Sequence, residues 1–397
     1  MAVTPETSQI VPLLPHVRRN IVAAIALVFI SDVALGLTYP LLNVLMEQRG
    51  VDAWLIGLNS AMGPVGIIAA GLVLPKLLAR MNSGPVAWAG IGIIVAAILA
   101  LGTTEGFWAW CGLRFLLGVG IATMYSVSEA WLMHFSPDEH RGKITAIYTT
   151  MMALGFGAGT ALLPIAGTQG MLPFAAAAVM ISVSGLFLFA IKLDGKEFHG
   201  DQTGVNMWSF AVAAPILLLG VLTMTMFDSV MLSFFPIYAL RMDLDLTTGA
   251  WLLSTAITGA AVFQIAVGWL ADRWSRKGVI WISTVTTVVL ALVMPFVLKT
   301  WMMWPLAVVL GTAAYSIYAL ALVALGDRFK GPMLVAGSAA IAAMWGIGGI
   351  VGPPATGWAF STLGHETFPW LLAGPYAAFA VCLIVSGGHL VRQKWRG

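Results

Sequence analysis

Apolar residues come in blocks of roughly 20 along this chain, with polar residues gathered in short stretches between them. A helix rises ~1.5 Å per residue, so one such block crosses a ~30 Å hydrocarbon layer. Twelve blocks predict twelve membrane helices, at 20–46, 53–76, 86–104, 107–132, 143–166, 171–192, 208–240, 247–270, 278–298, 301–326, 332–358 and 369–391. A membrane barrel would alternate apolar and polar positions, and that alternation is missing. The longest polar stretch, from Lys192 to Met207, separates six blocks from six. The expected fold is therefore an all-α membrane protein with twelve transmembrane helices in two six-helix bundles. The expected organisation is an N-terminal bundle over 1–192, a cytoplasmic linker over 193–207 and a C-terminal bundle over 208–397.

The two halves share a phrase. Asp32 precedes Tyr39-Pro40 in the first block, and Asp228 precedes Phe235-Pro236 at the same spacing in the seventh. Gly71 and Gly268 match in the same way, as do Gly155-Phe156-Gly157 and Gly346-Ile347-Gly348. A duplicated set of membrane helices is a common design of secondary transporters, with the substrate site where the repeats meet.

Composition and charge agree with the membrane reading. Hydrophobic residues make up 59% of the 397 and charged residues only 9%, against about 25% charged in soluble domains. With the N-terminus in the cytoplasm, the twenty Lys and Arg fall almost entirely in cytoplasmic segments. The exceptions are Arg49, Arg241 and Lys299 in outer loops and Arg114 inside a helix. This asymmetry predicts cytoplasmic termini. Basic residues lining a membrane surface also explain the net charge of +3 without a nucleic-acid partner. No cleavable leader is expected, because the first twenty residues are polar or broken by proline. Cys111 and Cys382 both fall in predicted helices, so no disulfide framework is expected.

Enzymatic motifs are poorly supported. The sequence lacks a GxxxxGK[ST] phosphate loop, since Gly142-Lys143 is followed by Ile144. The Gly-x-Gly runs at Gly118/Gly120 and Gly155/Gly157 lie in membrane blocks rather than at strand-to-helix turns. His365-Glu366 lacks the second His of a zinc protease helix. No enzyme activity, metal or cofactor is expected.

Three stretches carry a family resemblance. The run from Gly268 to Lys277, with Asp272, Arg273 and Arg276, resembles the signature cytoplasmic loop of the major facilitator superfamily, G-x-x-x-D-R-x-x-R-[KR]. Arg114, Gly118 and Gly120 resemble its fourth-helix R-x-x-x-G-x-G motif, and Gly36 to Pro40 resembles a first-helix motif of its proton-linked exporters. The likeness is to the twelve-helix, bacterial drug and metabolite proton-antiporter branch. Departures are visible as well. Pro75 replaces the acidic residue in the first-half loop. The antiporter Gly-Pro pair is absent from the fifth block, with a closer version at Gly352-Pro353. The resemblance implies a central cavity lined by helices one, four, seven and ten, and a gate formed by Gly268, Asp272, Arg273, Arg276 and Lys277.

Charge inside a membrane helix is costly, so each buried ionisable residue is a functional candidate. Asp32 and Asp228 lie at matched depths near mid-helix, and Arg114 and Glu129 share a face of the fourth block. The plainer alternative for each is a polar group that ties two helices together. Asp32, Arg114 and Glu129 are the expected proton-coupling set, with Arg114 acting on an inward carboxylate. Asp228, Tyr39, Tyr125, Phe235, Tyr315, Tyr318 and Trp345 are the expected substrate contacts, with core packing as the alternative for the aromatics. Glycines of the fifth and eleventh blocks are expected to permit close helix packing.

Together these features predict a proton-coupled exporter of a small amphipathic organic solute, working by alternating access. A proton-coupled sugar or vitamin importer and an uncoupled facilitator are the alternatives. The expected partners are a small-molecule substrate, protons and membrane lipid. A monomer in a bacterial inner membrane is the expected form.

Overall fold

The computed structural model describes residues 15–137, 140–191 and 207–390. All regular structure among them is helical. The helices are α1 (Pro15–Gln48), α2 (Ala53–Leu78), α3 (Ser83–Thr103), α4 (Phe107–Phe135), α5 (Arg141–Ala166), α6 (Leu172–Leu186), α7 (Met207–Ala213), α8 (Pro215–Arg241), α9 (Leu246–Arg273), α10 (Arg276–Val297), α11 (Met303–Arg328), α12 (Gly331–Thr362) and α13 (Phe368–Leu390). Among the described residues, twelve spans are long and apolar enough to cross a membrane, α6 doing so together with the 3₁₀ turn Phe187–Ala190 that extends it. α7 is too short.

That short helix departs from the expected single run over 208–240. Pro215 forces the break. A proline pushes the preceding residue out of helical geometry and cannot donate a helix hydrogen bond. Ala214 accordingly adopts φ −138° and ψ 53°, and Pro215 becomes the first residue of α8. The expected linker over 193–207 lies outside the described residues, except Met207, which opens α7.

Helix packing repeats with the sequence. In the first half α1 packs on α5 and α6, α4 on α2 and α3, and α3 on α6. The second half shows the same pairs one repeat later: α8 on α12 and α13, α11 on α9 and α10, and α10 on α13. Two seams join the halves, α2 on α12 and α5 on α9, and the repeat exchanges one seam for the other. Such an exchange is what a two-fold relation along the membrane normal produces.

Glycine sets how closely these helices approach. A methyl group at Gly36 would lie 2.1 Å from the Phe156 carbonyl oxygen, and one at Gly159 would lie 2.1 Å from that of Val33. Across the seams, a methyl at Gly357 would lie 2.2 Å from the Ala53 oxygen, and one at Gly157 would lie 2.4 Å from Thr258 Cγ2. The expectation that glycines of the fifth and eleventh spans serve close packing is met at these contacts. Small residues serve this purpose in membranes, where apolar burial cannot drive helix association.

This packing yields a paired test. Gly36→Ala must push backbone against backbone and should destabilise the folded protein by about 1–3 kcal/mol. Gly71 has nothing within 4 Å of the equivalent position, so Gly71→Ala should be neutral or slightly stabilising through helix propensity. Thermal unfolding of the two variants in the same detergent reads the difference. Equal melting points would refute the tight-contact assignment.

Candidate transport site

The matched aspartates make matched contacts. Asp32 lies midway along α1 and Asp228 midway along α8. Tyr125 of α4 donates its hydroxyl to Asp32 Oδ1, and Tyr315 of α11 donates its hydroxyl to Asp228 Oδ1. One carboxyl per half is thus tied to the fourth helix of that half. Asp32 is 1% exposed and Asp228 8%. Asp32 Oδ2 has no hydrogen-bond partner among the described residues. Beside Asp32, Ser31 Oγ donates to Ser184 Oγ of α6 at 2.9 Å.

Arg114 does not join Asp32. Its Nη1 donates to Asn43 Oδ1 of α1 at 2.8 Å and to Asn59 Oδ1 of α2 at 3.0 Å. Ser60 also donates to Asn43 Oδ1, at 3.1 Å. The Arg114 guanidinium lies over the Tyr39 ring, 5.3 Å from its centroid. Eleven residues of α4 separate Arg114 from Tyr125, or ~16 Å along the helix. The expected contact between Arg114 and an inward carboxylate is therefore corrected: two neutral amides occupy that place. Their signal was present as Asn43 and Asn59 inside apolar blocks, and a search limited to ionisable groups passes over it.

The other candidates divide into two groups. Tyr39 lies beneath the Arg114 guanidinium and its ring packs against Phe156 of α5, with centroids 6.0 Å apart. Glu129 is exposed near the end of α4. Tyr318 packs edge-on to Trp345, with centroids 5.8 Å apart. Phe235 behaves otherwise. It is 1% exposed and packs against Phe368 of α13, 6.2 Å away, within the second-half core. Its depth along the helix matches the expectation, but its ring fills the core rather than a shared space.

The expected gate residues cluster at one end, here termed the near end because α1 begins there. Arg276 pairs with Asp327 at the end of α11 and with Asp272 at 3.5 Å. Arg273 lies over the Trp269 ring at 5.2 Å. Ser275 caps α10 by accepting the Gly278 N–H at 3.2 Å, next to Lys277. Gly268 faces open space in α9. These contacts tie α9, α10 and α11 of one half to each other.

The opposite, far end holds a closure that the sequence reading missed. Arg241 at the end of α8 grips Glu47 at the end of α1, with Nε to Oε1 at 2.7 Å and Nη2 to Oε2 at 3.0 Å. Asp52 caps α2 by accepting the Trp54 N–H at 2.9 Å, and the Ser361 hydroxyl of α12 donates to the same carboxylate. Along the seam, Ser254 of α9 donates to the Gly157 carbonyl of α5 at 2.7 Å. Trp251 Nε1 donates to the Ala161 carbonyl at 3.3 Å. The Arg241–Glu47, Ser361–Asp52, Ser254–Gly157 and Trp251–Ala161 contacts cross between the halves.

Comparison with known proteins agrees with this architecture. A family model described as Major Facilitator Superfamily matches residues 24–258 and 218–393. The uncharacterised MFS-type transporter YfkF of Bacillus subtilis (strain 168) is 24% identical over 344 residues, covering 85% of this chain and 88% of that protein. YcaD of Escherichia coli O139:H28, also an uncharacterised MFS-type transporter, is 21% identical over 373 residues, covering 94% and 97%. Among solved structures, the nucleoside transporter NupG superposes with a TM-score of 0.77 at 12% identity, covering 94% of this chain and 99% of that one. A bacterial homologue of the human lysosomal transporter Spinster, in an inward-facing and occupied conformation, gives 0.71 at 14%, covering 95% and 96%. The structural likenesses establish the fold. The chain belongs to the major facilitator superfamily and is an integral membrane secondary transporter of a small-molecule substrate, not an enzyme.

The far closure makes two predictions with one readout, the distance between spin labels at Gln48 and Asp243, which are exposed and lie in opposite halves. Arg241→Gln removes the bidentate grip and should lengthen and broaden that distance. Acid should act in the same direction. The Ser361 hydroxyl, and after it the Trp54 N–H, hold the Asp52 carboxyl below the usual carboxylate range. A depressed value stabilises the closed end fully above ~4 and loses that contribution as pH falls below it. A distance unchanged by the substitution or by acid would rule out this seal.

Proposed function

We propose that this transporter exports a small amphipathic organic solute in exchange for protons, by rocking one half against the other. The observation that carries this reading is the pair of matched Asp–Tyr contacts, one at the middle of each half. An ionised carboxylate only accepts hydrogen bonds, whereas a protonated one also donates. A proton arriving at Asp32 therefore changes what Tyr125 can bond, and with it the tie between α1 and α4. Asp32, the more enclosed of the two, is assigned the proton. Asp228, the more open, is assigned to the solute together with Tyr39, Tyr125, Tyr315, Tyr318 and Trp345. Glu129 is assigned to proton passage toward the near end.

Charge supports the orientation. Lys76, Arg80, Arg141, Lys143, Arg276, Lys277, Arg328 and Lys330 lie at the near end, which by the positive-inside rule is the cytoplasmic one. Both termini then face the cytoplasm of a bacterial cell, and the protein works as a monomer among inner-membrane lipids. The closed far end supports reading this arrangement as an inward-facing state. The Asp272, Arg273, Arg276 and Lys277 cluster acts as the cytoplasmic latch of the opposite, outward-facing state.

Proteoliposomes test the assignment. Asp32→Asn should abolish uphill, proton-driven flux while leaving exchange down a solute gradient intact. Asp228→Asn should instead weaken apparent solute affinity. Uphill accumulation that survives in Asp32→Asn would overturn the coupling role. For the latch, Asp272→Asn should raise cytoplasmic-side cysteine labelling at unchanged expression, and equal labelling in variant and parent would remove it.

A further inference from the structure

We propose that Arg114 is the receptor for a carboxylate, or a planar oxyanion of the same shape, on the transported solute. This deepens the transporter reading above and rests on it for the word transported, though not for binding itself. Arg114 is 1% exposed, and among the described residues it has no ion-pair partner. Burying a cation without a counter-charge is costly, and the protein supplies only two amide oxygens, both to Nη1. Nε and Nη2 are buried without partners, and so is Asn43 Nδ2 on the neighbouring helix. Three unpartnered donor nitrogens thus belong to two residues already in contact.

The identity of the unfilled atoms points to the ligand. Nε and Nη2 form one edge of the guanidinium fork, and that edge takes a carboxylate side-on through two parallel hydrogen bonds. The same molecule shows this geometry occupied. Arg241 uses Nε and Nη2 to hold both oxygens of Glu47, at 2.7 and 3.0 Å. Arg114 presents the identical edge with no carboxylate on it. Asn43 Nδ2, on the residue that already holds Nη1, is a further unpartnered donor nearby, and the Tyr39 ring covers a face of the guanidinium. A fork edge with an extra amide donor fits a planar oxyanion better than a spherical halide.

The test measures binding, not transport, so its outcome is separable from that of the flux assays. Purified protein in detergent is titrated with sodium formate, acetate or benzoate, and with sodium chloride, at constant ionic strength. Thermal unfolding is followed in parent, Arg114→Gln, Arg114→Lys and Asn43→Asp. The expected result is saturable stabilisation of the parent by the carboxylates. It should be lost in Arg114→Gln and weakened about tenfold or more in Arg114→Lys, which keeps the charge but not the fork. Asn43→Asp, nearly isosteric, supplies an internal carboxylate, so it should unfold at higher temperature and no longer respond to acetate. That variant keeps the test decisive should Arg114→Gln fail to fold. Stabilisation by chloride equal to that by carboxylates, persistence of the response in Arg114→Gln or Asn43→Asp, or no saturable response in the parent would each overturn the proposal. Carboxylate binding without coupled flux would leave this inference standing and remove the transport mechanism instead.

Discussion

Hydrocarbon offers no hydrogen bonds, so a polar side chain carried into it is costly unless another group meets it. The rest of this architecture follows from that constraint. Asp32 and Asp228 could not sit in mid-helix unless another helix brought a donor, and Tyr125 and Tyr315 are those donors. The choice of Tyr matters. Its ring reaches from the fourth helix of each half across to the first, and its hydroxyl can donate or accept. The contact therefore remains possible when the carboxyl changes charge, where a fixed Arg or Lys would commit it to one state.

Duplication explains why the chemistry is matched yet the surroundings are not. The same helix pairs recur in both halves, so an Asp on the first helix meets a Tyr on the fourth in each. Arg114 and Asn43 have no counterpart in the second half: at the offsets of the matched tyrosines (Tyr125 and Tyr315, 190) and aspartates (Asp32 and Asp228, 196), those positions hold Trp304 and Ala239. The repeat thus supplies a symmetric frame, and one half adds a buried guanidinium held by two asparagines. In the binding role proposed above, asymmetry of this kind would suit a solute with unlike ends.

Much of the frame was legible in the chain because block length and loop charge depend only on local composition. The single misjudged span fell at Pro215, where the residue before a proline ended the short α7. Partners across helices were harder to read. Phe235 was correctly deep, but α8 is apolar on all sides, and nothing in its pattern shows which face meets the core. Asn43 and Asn59 were visible as polar residues in apolar blocks, yet only the fold brings them to one guanidinium. Glu47 and Arg241 are 194 positions apart at the ends of separate helices, and no periodicity connects them.

The seams have a mechanical consequence. Where α2 meets α12 and α5 meets α9, one side of the contact is repeatedly a glycine against a backbone or a short side chain. Interlocked side chains act as gear teeth and must disengage before two helices can turn past each other. A smooth glycine surface has no teeth, so it serves as a fulcrum. In the rocking motion proposed above, friction along the seams would govern how quickly the halves exchange orientation, while the ionic clasp at Glu47 and Arg241 would govern which orientation they rest in. Speed and resting position would then be set by different residues, and a cell lineage could alter either one without disturbing the other.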